Sequence, residues 1–385
     1  MNKEIFKDFD GYDRIIEERD YSRKYGLDYS AQKDSADSFI QRLHPKRLTL
    51  RVSEIIPETP SSKTLRLVSP ERVLPPFLAG QYVALFLEVK GIRTSRPYSL
   101  SSSPNQTGYY DLTVRRVEGG LVSNYLLDDL KRGDILQSSG PEGHFYYNPL
   151  FHDRTLVMLA GGSGITPFMS MIREVVECGL DREIFLFYGN RNMQEAFFHP
   201  HLKDLSGRFA NFHYIPVIED PPEGYEGQTG LISGALLKNT LGRMENKTFY
   251  LCGPQAMYDY CLPQLEGLGI PRRKIRKEVY GPPNDITRAP NWPVEVSRDQ
   301  LFKIVIRGRE SIEVKAVEPL AASLEKQGIL LPTICRSGEC SQCRVKVLSG
   351  KVYQPAGALV RRSDQRFGFV HACVSYPLED LEILV

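Results

Sequence analysis

Four cysteines near the C-terminus carry the plainest chemistry in this sequence. Cys335, Cys340 and Cys343 read C-x4-C-x2-C, and Cys373 follows from later in the chain. Three thiolates on one turn with a distant fourth is the ligand spacing of a plant-type [2Fe-2S] cluster. Such a loop must wrap two irons closely while aiming backbone N–H groups at sulfur, and Gly338 supplies the backbone freedom this needs. A structural zinc is the alternative, although zinc modules usually present two C-x2-C pairs and only Cys340 and Cys343 form one here. Seven cysteines in all, an odd number crowded toward one end, argue against a secreted disulfide framework.

Four further constellations can serve a phosphate-bearing cofactor. Gly161, Gly162, Ser163 and Gly164 follow an apolar run and open an amphipathic helix, so bare backbone can approach a pyrophosphate at a positive helix end. A tight α/β connection uses the same residues, and GGSG is neither GxGxxG nor a P-loop. Cys252, in LCGP, follows a later strand of the same region, where ligands gather in parallel sheets. Arg96, Tyr98 and Ser99, in RPYSL, place a cation, an aromatic face and a hydroxyl at one strand end. Gly119 and Gly120, with Ser123, lead into a helix expected around Val122 to Leu130 whose N-terminus could hold an anion. Cys178 and Cys261 lack partner spacing and read as packing residues, while His199 and His201, split by Pro200, read as surface residues.

These groups need rigid elements to hold them. From Arg47 to Pro149, short β-rich runs such as QYVALFLEV and YYDLTVRRV alternate with turns such as SPNQTG, which predicts an antiparallel barrel or sandwich. From Thr155 the pattern becomes strand, loop, helix: Phe168, Met171, Ile172, Val175 and Val176 repeat at helical spacing before Gly179. IFLFY, HYIPVI and TFYL continue the alternation, predicting a parallel α/β sheet. Four prolines between Gly281 and Pro293 predict a semi-rigid tether, and the remainder a small α+β unit. The segment Asp13 to Lys24 is expected to be helical, without a readable function.

R-P-Y-S at 96–99, G-P-x-G-x-F at 140–145, G-G-S-G-I-T-P at 161–167 and C-G-P at 252–254, in that order, resemble the ferredoxin-NADP reductase superfamily over residues 47 to 281. With the cysteine loop, the chain is similar to the subset that fuses flavin and nicotinamide domains to a plant-type ferredoxin, as in reductase components of bacterial oxygenases and the hybrid-cluster-protein reductase. The resemblance implies a flavin segment made of Arg96, Pro97, Tyr98 and Ser99, with Arg96 on the pyrophosphate, Tyr98 against the isoalloxazine or ribityl chain, and Ser99 near N5. Gly120, Leu121, Val122 and Ser123 match a second phosphate loop that usually accompanies FAD. FMN is the minority alternative, used by the phthalate dioxygenase reductase branch, which lacks the G-P-x-G-x-F motif present here. Gly162, Gly164, Thr166 and Pro167 resemble the nicotinamide pyrophosphate cradle, and Cys252, Gly253 and Pro254 are implied beside the nicotinamide C4, Cys252 positioning without attacking. Arg191 follows the strand that meets the adenine ribose, with no clear acidic 2′-OH ligand, leaving NADH and NADPH both open. Glu278 and Tyr280 take the place of an acidic residue and an aromatic against the flavin. Ser99, Cys252 and Glu278 are the implied catalytic residues, and Cys335, Cys340, Cys343 and Cys373 the metal ligands.

The implied activity passes electrons from NAD(P)H through FAD and the cluster to an external one-electron acceptor metalloprotein of oxygenase, desaturase or hybrid-cluster type. The alternatives are a redox adaptor or sensor with little turnover, or a flavin reductase with zinc in the cysteine loop. The expected fold is multidomain: residues 1–45 an extension of unknown role and possible partner docking, 46–149 an FAD-binding antiparallel β-barrel, 150–281 an NAD(P)H-binding α/β parallel-sheet domain, 282–297 a Pro-rich linker, and 298–385 an α+β, β-grasp ferredoxin domain.

Composition sets the boundaries of this reading. At roughly 150 residues per core, 385 residues fill two or three domains. Forty-nine Lys and Arg against 47 acidic residues argue against a nucleic-acid partner. The longest apolar runs fall far short of a bilayer span, and the charged N-terminus lacks a signal-peptide pattern, so a cytoplasmic location is expected.

Overall fold

The computed structural model describes residues 11–26, 40, 45–70, 73–283 and 285–385, in two compact units, Met1–Lys46 and Arg47–Val385. In the first unit, helix α1 (Tyr12–Lys24) forms where it was expected and buries none of its side chains. The rest of the expected extension, residues 1–10, 27–39 and 41–44, lies outside the described residues.

The second unit opens with strands β1 (Leu48–Thr59), β2 (Ser62–Val68), β3 (Tyr82–Val89), β4 (Ile92–Ser99) and β5 (Tyr110–Arg115), then helix α2 (Leu121–Asn124) and strand β6 (Ile135–Ser138). They form an antiparallel sheet in the order β4-β3-β6-β1-β2-β5, and a bridge between Leu100 and Leu112 joins its edges into a barrel. Period-two alternation sends Leu48, Leu50, Val52, Leu65, Leu67, Val83 and Leu85 into the core. The helix expected over Val122 to Leu130 differs: one α turn widens into a π turn at Tyr125–Asp129, carrying Leu126 and Leu127 into the core while Asp128 pairs with Arg116.

Next come β7 (Thr155–Gly161), α3 (Ile165–Cys178), β8 (Glu183–Asn190), α4 (His199–Arg208), β9 (Phe212–Ile218), β10 (Gln228–Thr229), α5 (Gly234–Leu241), β11 (Lys247–Cys252), α6 (Gln255–Gly267) and β12 (Ile275–Glu278). All six strands are parallel, in the order β10-β9-β8-β7-β11-β12. The chain winds outward from β7 to β10, then returns to the other side of β7, so the direction reverses between β7 and β11. Their carboxyl ends flank a topological switch point, the crevice where open α/β sheets bind ligands. Helix α3 buries Phe168, Met171, Ile172, Val175 and Val176 as its periodicity requires and stops at Gly179, whose φ of 58° is left-handed. Cys178 is exposed, contrary to the packing role expected for it, because it falls off that buried face at the helix end; Cys261 is buried.

A last sheet, β14-β13-β19-β15-β17, is built from β13 (Leu301–Ile306), β14 (Ile312–Lys315), β15 (Arg344–Ser349), β17 (Phe369–His371) and β19 (Leu381–Leu384). Strands β13 and β19 run parallel and the other pairs antiparallel, with β16 (Val352–Tyr353) and β18 (Tyr376–Pro377) as a separate pair. Helix α7 (Leu320–Lys326) buries Leu320, Ala321 and Leu324 in this core. The proline-rich segment is packed rather than free: Ile286 and Trp292 are buried in the same core. Among the described residues, no helix is long and apolar enough to cross a membrane.

Candidate functional site

The two loops at the switch point are in backbone contact. A Cβ on Gly164 would stand 2.1 Å from the carbonyl oxygen of Cys252, and one on Gly253 would stand 3.2 Å from the Cα of Gly161. Glycine is required here because the GGSG loop and the CGP loop approach too closely for side chains. Gly162 has φ +50°, and its carbonyl accepts a hydrogen bond from Tyr188 Oη at 3.0 Å. Thr166 Oγ1 donates to Ser163 O at 2.8 Å in the first turn of α3, with Pro167 buried behind it. Pro254 caps α6 in extended conformation. The result is a backbone-lined cradle at a helix N-terminus, the chemistry a pyrophosphate requires.

Cys252 ends β11 beside Ala160 of β7 on one flank and Glu278 of β12 on the other. Full burial, reinforced by the Glu278 charge, pushes its thiol well above the ordinary value, so it stays neutral. Tyr258 Oη donates to Glu278 O and accepts from Gly253 N at 3.2 Å, tying the two strand ends together.

Ser99, Tyr280 and Glu278 meet at the opposite side of this crevice. Ser99, at the end of β4, is buried, and its Oγ lies 2.6 Å from Tyr280 Oη. Tyr98 packs against the barrel core. Glu278 is 5% exposed, and burial, with Glu339 as the next cause, raises its carboxyl to about 8. Tyr82, opposite Ser99 across β3 and β4, stands edge-on to Tyr280 at 6.3 Å. Burial and then the charges of Cys335 and Cys340 raise its phenol. Tyr82 thus packs on Tyr280 and feels the charge of the cysteine loop; no motif pointed to it, although its pairing with Ser99 follows once β3 and β4 are taken as a hairpin.

The cysteine loop and Cys373 bring four sulfurs together in one run. Cys335 is within hydrogen-bonding reach of Cys340 and Cys373, and Cys343 of Cys373. Hydrogen bonds among them lower Cys335 and Cys343 and raise Cys340 and Cys373, so two of the four sulfurs are favoured as thiolates and two are held as thiols. Cys340 N points at Cys335 Sγ, 3.4 Å away. Arg336, Gly338 and Ser341 all adopt positive φ, and a Cβ on Gly338 would meet Val374 at 2.7 Å. Among the described residues, no three His, Cys, Asp or Glu side chains gather to hold a single metal ion. Four sulfurs gathered in one run, with an amide aimed at one of them, supply the donor set that a [2Fe-2S] cluster takes.

A network absent from the sequence reading joins this loop to the barrel. Arg336 forms an ion pair with Glu325 of α7 and donates to Thr94 Oγ1 of β4 at 3.0 Å, with both charged side chains less than one-tenth exposed. Ser95 Oγ donates to Thr333 O at 2.5 Å. Arg96 is turned into the same network, its Nη1 donating to Thr94 Oγ1 at 2.6 Å and Ser95 O at 2.7 Å. Burial, then the nearby Arg336 charge, lowers Arg96 to about 10. The hydrogen bonds of Arg96 thus run to β4 and not to the glycine loop at 119–123. In that loop Val117 N donates to Ser123 Oγ at 3.1 Å, and Gly120 abuts the same hydroxyl. Arg191 lies at the carboxyl end of β8 and pairs with Asp220 at 3.0 Å. His199 bonds to Tyr214 at 2.8 Å while His201 is exposed, so the two do not form a ligand pair.

Comparisons with known proteins agree with this geometry. The family described as oxidoreductase FAD-binding domain matches residues 48–147, oxidoreductase NAD-binding domain matches 158–262, and 2Fe-2S iron-sulfur cluster binding domain matches 304–378. The chain is 29% identical over 351 residues to the glycine betaine monooxygenase reductase subunit of Pseudomonas aeruginosa (strain UCBPP-PA14), covering 88% of this chain and 95% of the relative. It is 34% identical over 255 residues to the phenol 2-monooxygenase reductase component of Pseudomonas sp. (strain CF600), covering 66% and 69%. The solved phthalate dioxygenase reductase shares the fold, with a TM-score of 0.64 at 23% identity over 88% of this chain and 97% of that one. With barrel, parallel sheet and cysteine loop all in place, this chain belongs to the ferredoxin-NADP reductase superfamily, in the subset carrying a C-terminal [2Fe-2S] domain, and is a flavin- and nicotinamide-binding iron-sulfur oxidoreductase.

Proposed function

We propose that this chain oxidises NADH and delivers the electrons singly to a separate metalloprotein of the oxygenase class. The observation that carries the reading is the surroundings of Glu278, which neighbours Cys252 across the strand register while its carboxyl senses Glu339 and Cys335 of the cysteine loop. The nicotinamide end and the cluster end of the site meet around this one side chain.

When bound, FAD takes up a two-electron hydride and releases electrons one at a time to a [2Fe-2S] cluster, which the four cysteines would hold. The chain's own residues supply position. Gly162, Gly164, Thr166, Pro167, Gly253 and Pro254 offer the pyrophosphate a backbone cradle without side-chain obstruction. Cys252, neutral and fully buried, orients the nicotinamide face by contact and does not attack it. Ser99 and Tyr280, hydrogen-bonded to each other, place a hydroxyl pair at the reacting edge of the flavin, with Pro97 and Tyr98 behind them. Glu278 holds a proton beside them below about pH 8. Gly120, Leu121, Val122 and Ser123 would hold the second phosphate, and Arg96 would supply the cation for the pyrophosphate. Each NADH yields NAD+, one proton and two electrons, which reduce two equivalents of a one-electron acceptor.

NADH is favoured over NADPH because the Arg191 guanidinium is paired with Asp220, which would repel a 2′-phosphate. The domain limits proposed are 46–149, 150–281 and 298–385, with 282–297 joining the last two. A cytoplasmic location suits both the nicotinamide and an exposed thiol such as Cys178. The N-terminal unit, whose helix leaves Ile15 and Tyr21 exposed, is a proposed contact for the partner.

Cys373→Ser tests the order of transfer. The variant is expected to keep NADH-dependent reduction of a small quinone and lose reduction of one-electron protein acceptors. Equal loss of both, with flavin content unchanged, contradicts the proposed order.

A further inference from the structure

Electrons leave this protein at the cysteine loop, so whatever accepts them must touch the surface around it. That surface is basic from two directions. On one side, Pro271 is followed by Arg272, Arg273, Lys274, Ile275, Arg276 and Lys277, five cations in six residues of a chain whose net charge is only +2. Lys274 is neutralised by Asp153 at 2.7 Å. Arg272, Arg273 and Lys277 are exposed and form no salt bridge among the described residues. Arg276 shares a face of β12 with Glu278, and the charges of Arg276 and Lys277 act on the Glu339 carboxylate, next to Cys340. Lys277, next to Glu278, is thus at the loop end of β12, and Arg272 and Arg273 stand at its amino end, level with Asp153.

On the other side, Leu359 N donates to Gly338 O at 3.0 Å, fixing that segment against the loop, and the Leu359 side chain is 62% exposed. Arg361 and Arg362 follow it, both exposed. A groove of about 540 Å³ lies beside β12, lined in part by Arg273, Arg276 and the exposed Phe151. In its wall, Arg276 Nε is buried without an acceptor, although buried donors are nearly always paired. A carboxylate entering the groove would supply one.

We propose that the surface from the rim of the cysteine loop, where Lys277 stands on one side and Leu359, Arg361 and Arg362 on the other, along β12 to Arg272 and Arg273 at its amino end, is the docking surface for an acidic face of the electron-accepting protein. Opposite charge steers the encounter, the exposed apolar side chains exclude water at contact, and the groove receives one acidic side chain. This rests on the proposed reductase function and adds the chemistry of its partner. None of these residues takes part in cofactor binding as described above.

The test uses the full-length holoprotein with three acceptors: acidic cytochrome b5, basic cytochrome c, and the uncharged quinone menadione. Raising ionic strength from about 20 to about 200 mM is expected to lower kcat/KM for cytochrome b5 by about tenfold and to leave menadione within about twofold. Arg272→Glu with Arg273→Glu, and separately Arg361→Glu with Arg362→Glu, should each lower kcat/KM for cytochrome b5 by about fivefold or more at low salt, raise it for cytochrome c, and spare menadione. Salt-independent reduction of cytochrome b5, or equal loss with both cytochromes, overturns the docking surface. Co-sedimentation of the wild type, but not the variants, with phosphatidylcholine–phosphatidylserine vesicles also overturns it, in favour of a lipid surface. Failure of menadione reduction by the wild type instead removes the reductase reading on which it rests.

Discussion

Arg336 donates to Thr94 Oγ1 at 3.0 Å, joining the residue after the first cluster cysteine to the barrel strand two residues before Arg96. The same guanidinium is paired with Glu325, and both side chains are almost wholly buried. A buried pair that is broken on one side leaves an uncompensated charge. Positioning the cysteine loop against the flavin barrel therefore depends on a contact between residues far apart in the chain.

Removing one partner should be costly and removing both should not. Glu325→Ala is expected to destabilise the protein by about 3–5 kcal/mol, with Arg336→Ala similar, whereas Arg336→Met combined with Glu325→Leu recovers most of the loss. Thermal unfolding of the holoprotein measures this. Stopped-flow traces should also show slower cluster reduction after normal flavin reduction in whichever single variant still folds. Unchanged transfer in a folded Arg336 variant contradicts the positioning role.

Gly164→Ala places a methyl group where Cys252 O already lies, 2.1 Å away, so the two loops must separate. NADH affinity should fall by about tenfold or more while flavin content stays constant, since the cradle and not the barrel is disturbed. In the same assays, Cys252 should resist alkylation until the protein unfolds, because its thiol is buried and neutral. Titration of flavin bleaching against NADH, and mass spectrometry after iodoacetamide, read these two outcomes.

Glu278 makes the site pH-dependent. Its ordinary value is 4.5 and its folded value about 8, so between these limits the folded chain holds a proton the unfolded chain has released. Stability from this group is full below about pH 4.5 and is lost as pH rises through about 8. Glu278→Gln should flatten that decline in unfolding experiments and remove an inflection near pH 8 from the rate of flavin reduction. An inflection that persists in the variant assigns it to another group.

What could be read in the sequence was what is local. Cys335, Cys340 and Cys343 share one loop, GGSG lies between one strand and one helix, and period-two or helical spacing marked the barrel, the parallel sheet and α3. The Arg336–Thr94 bond spans 242 positions and required the whole fold, although an arginine placed between two cluster cysteines was a visible signal. Arg96, expected at a phosphate, donates here to the Thr94 hydroxyl and the Ser95 carbonyl, neighbours on its own strand whose part in the network no motif announced. The raised Glu278 and Tyr82 groups depend on burial from three separate segments, which no spacing encodes. Cys178 was misplaced because a helix buries one stripe only, and the last turn of α3 carries that residue away from it.

The most direct test is an anaerobic titration of the purified full-length protein with NADH, and separately NADPH, followed in the visible spectrum together with iron and flavin content. The account predicts two irons and one FAD per chain, as a [2Fe-2S] cluster beside one flavin requires, with flavin and cluster absorption both bleaching and NADH acting at lower concentration than NADPH. Flavin bleaching without iron or cluster absorption would contradict it, leaving the cysteine loop as a zinc site and the chain as a simple flavin reductase.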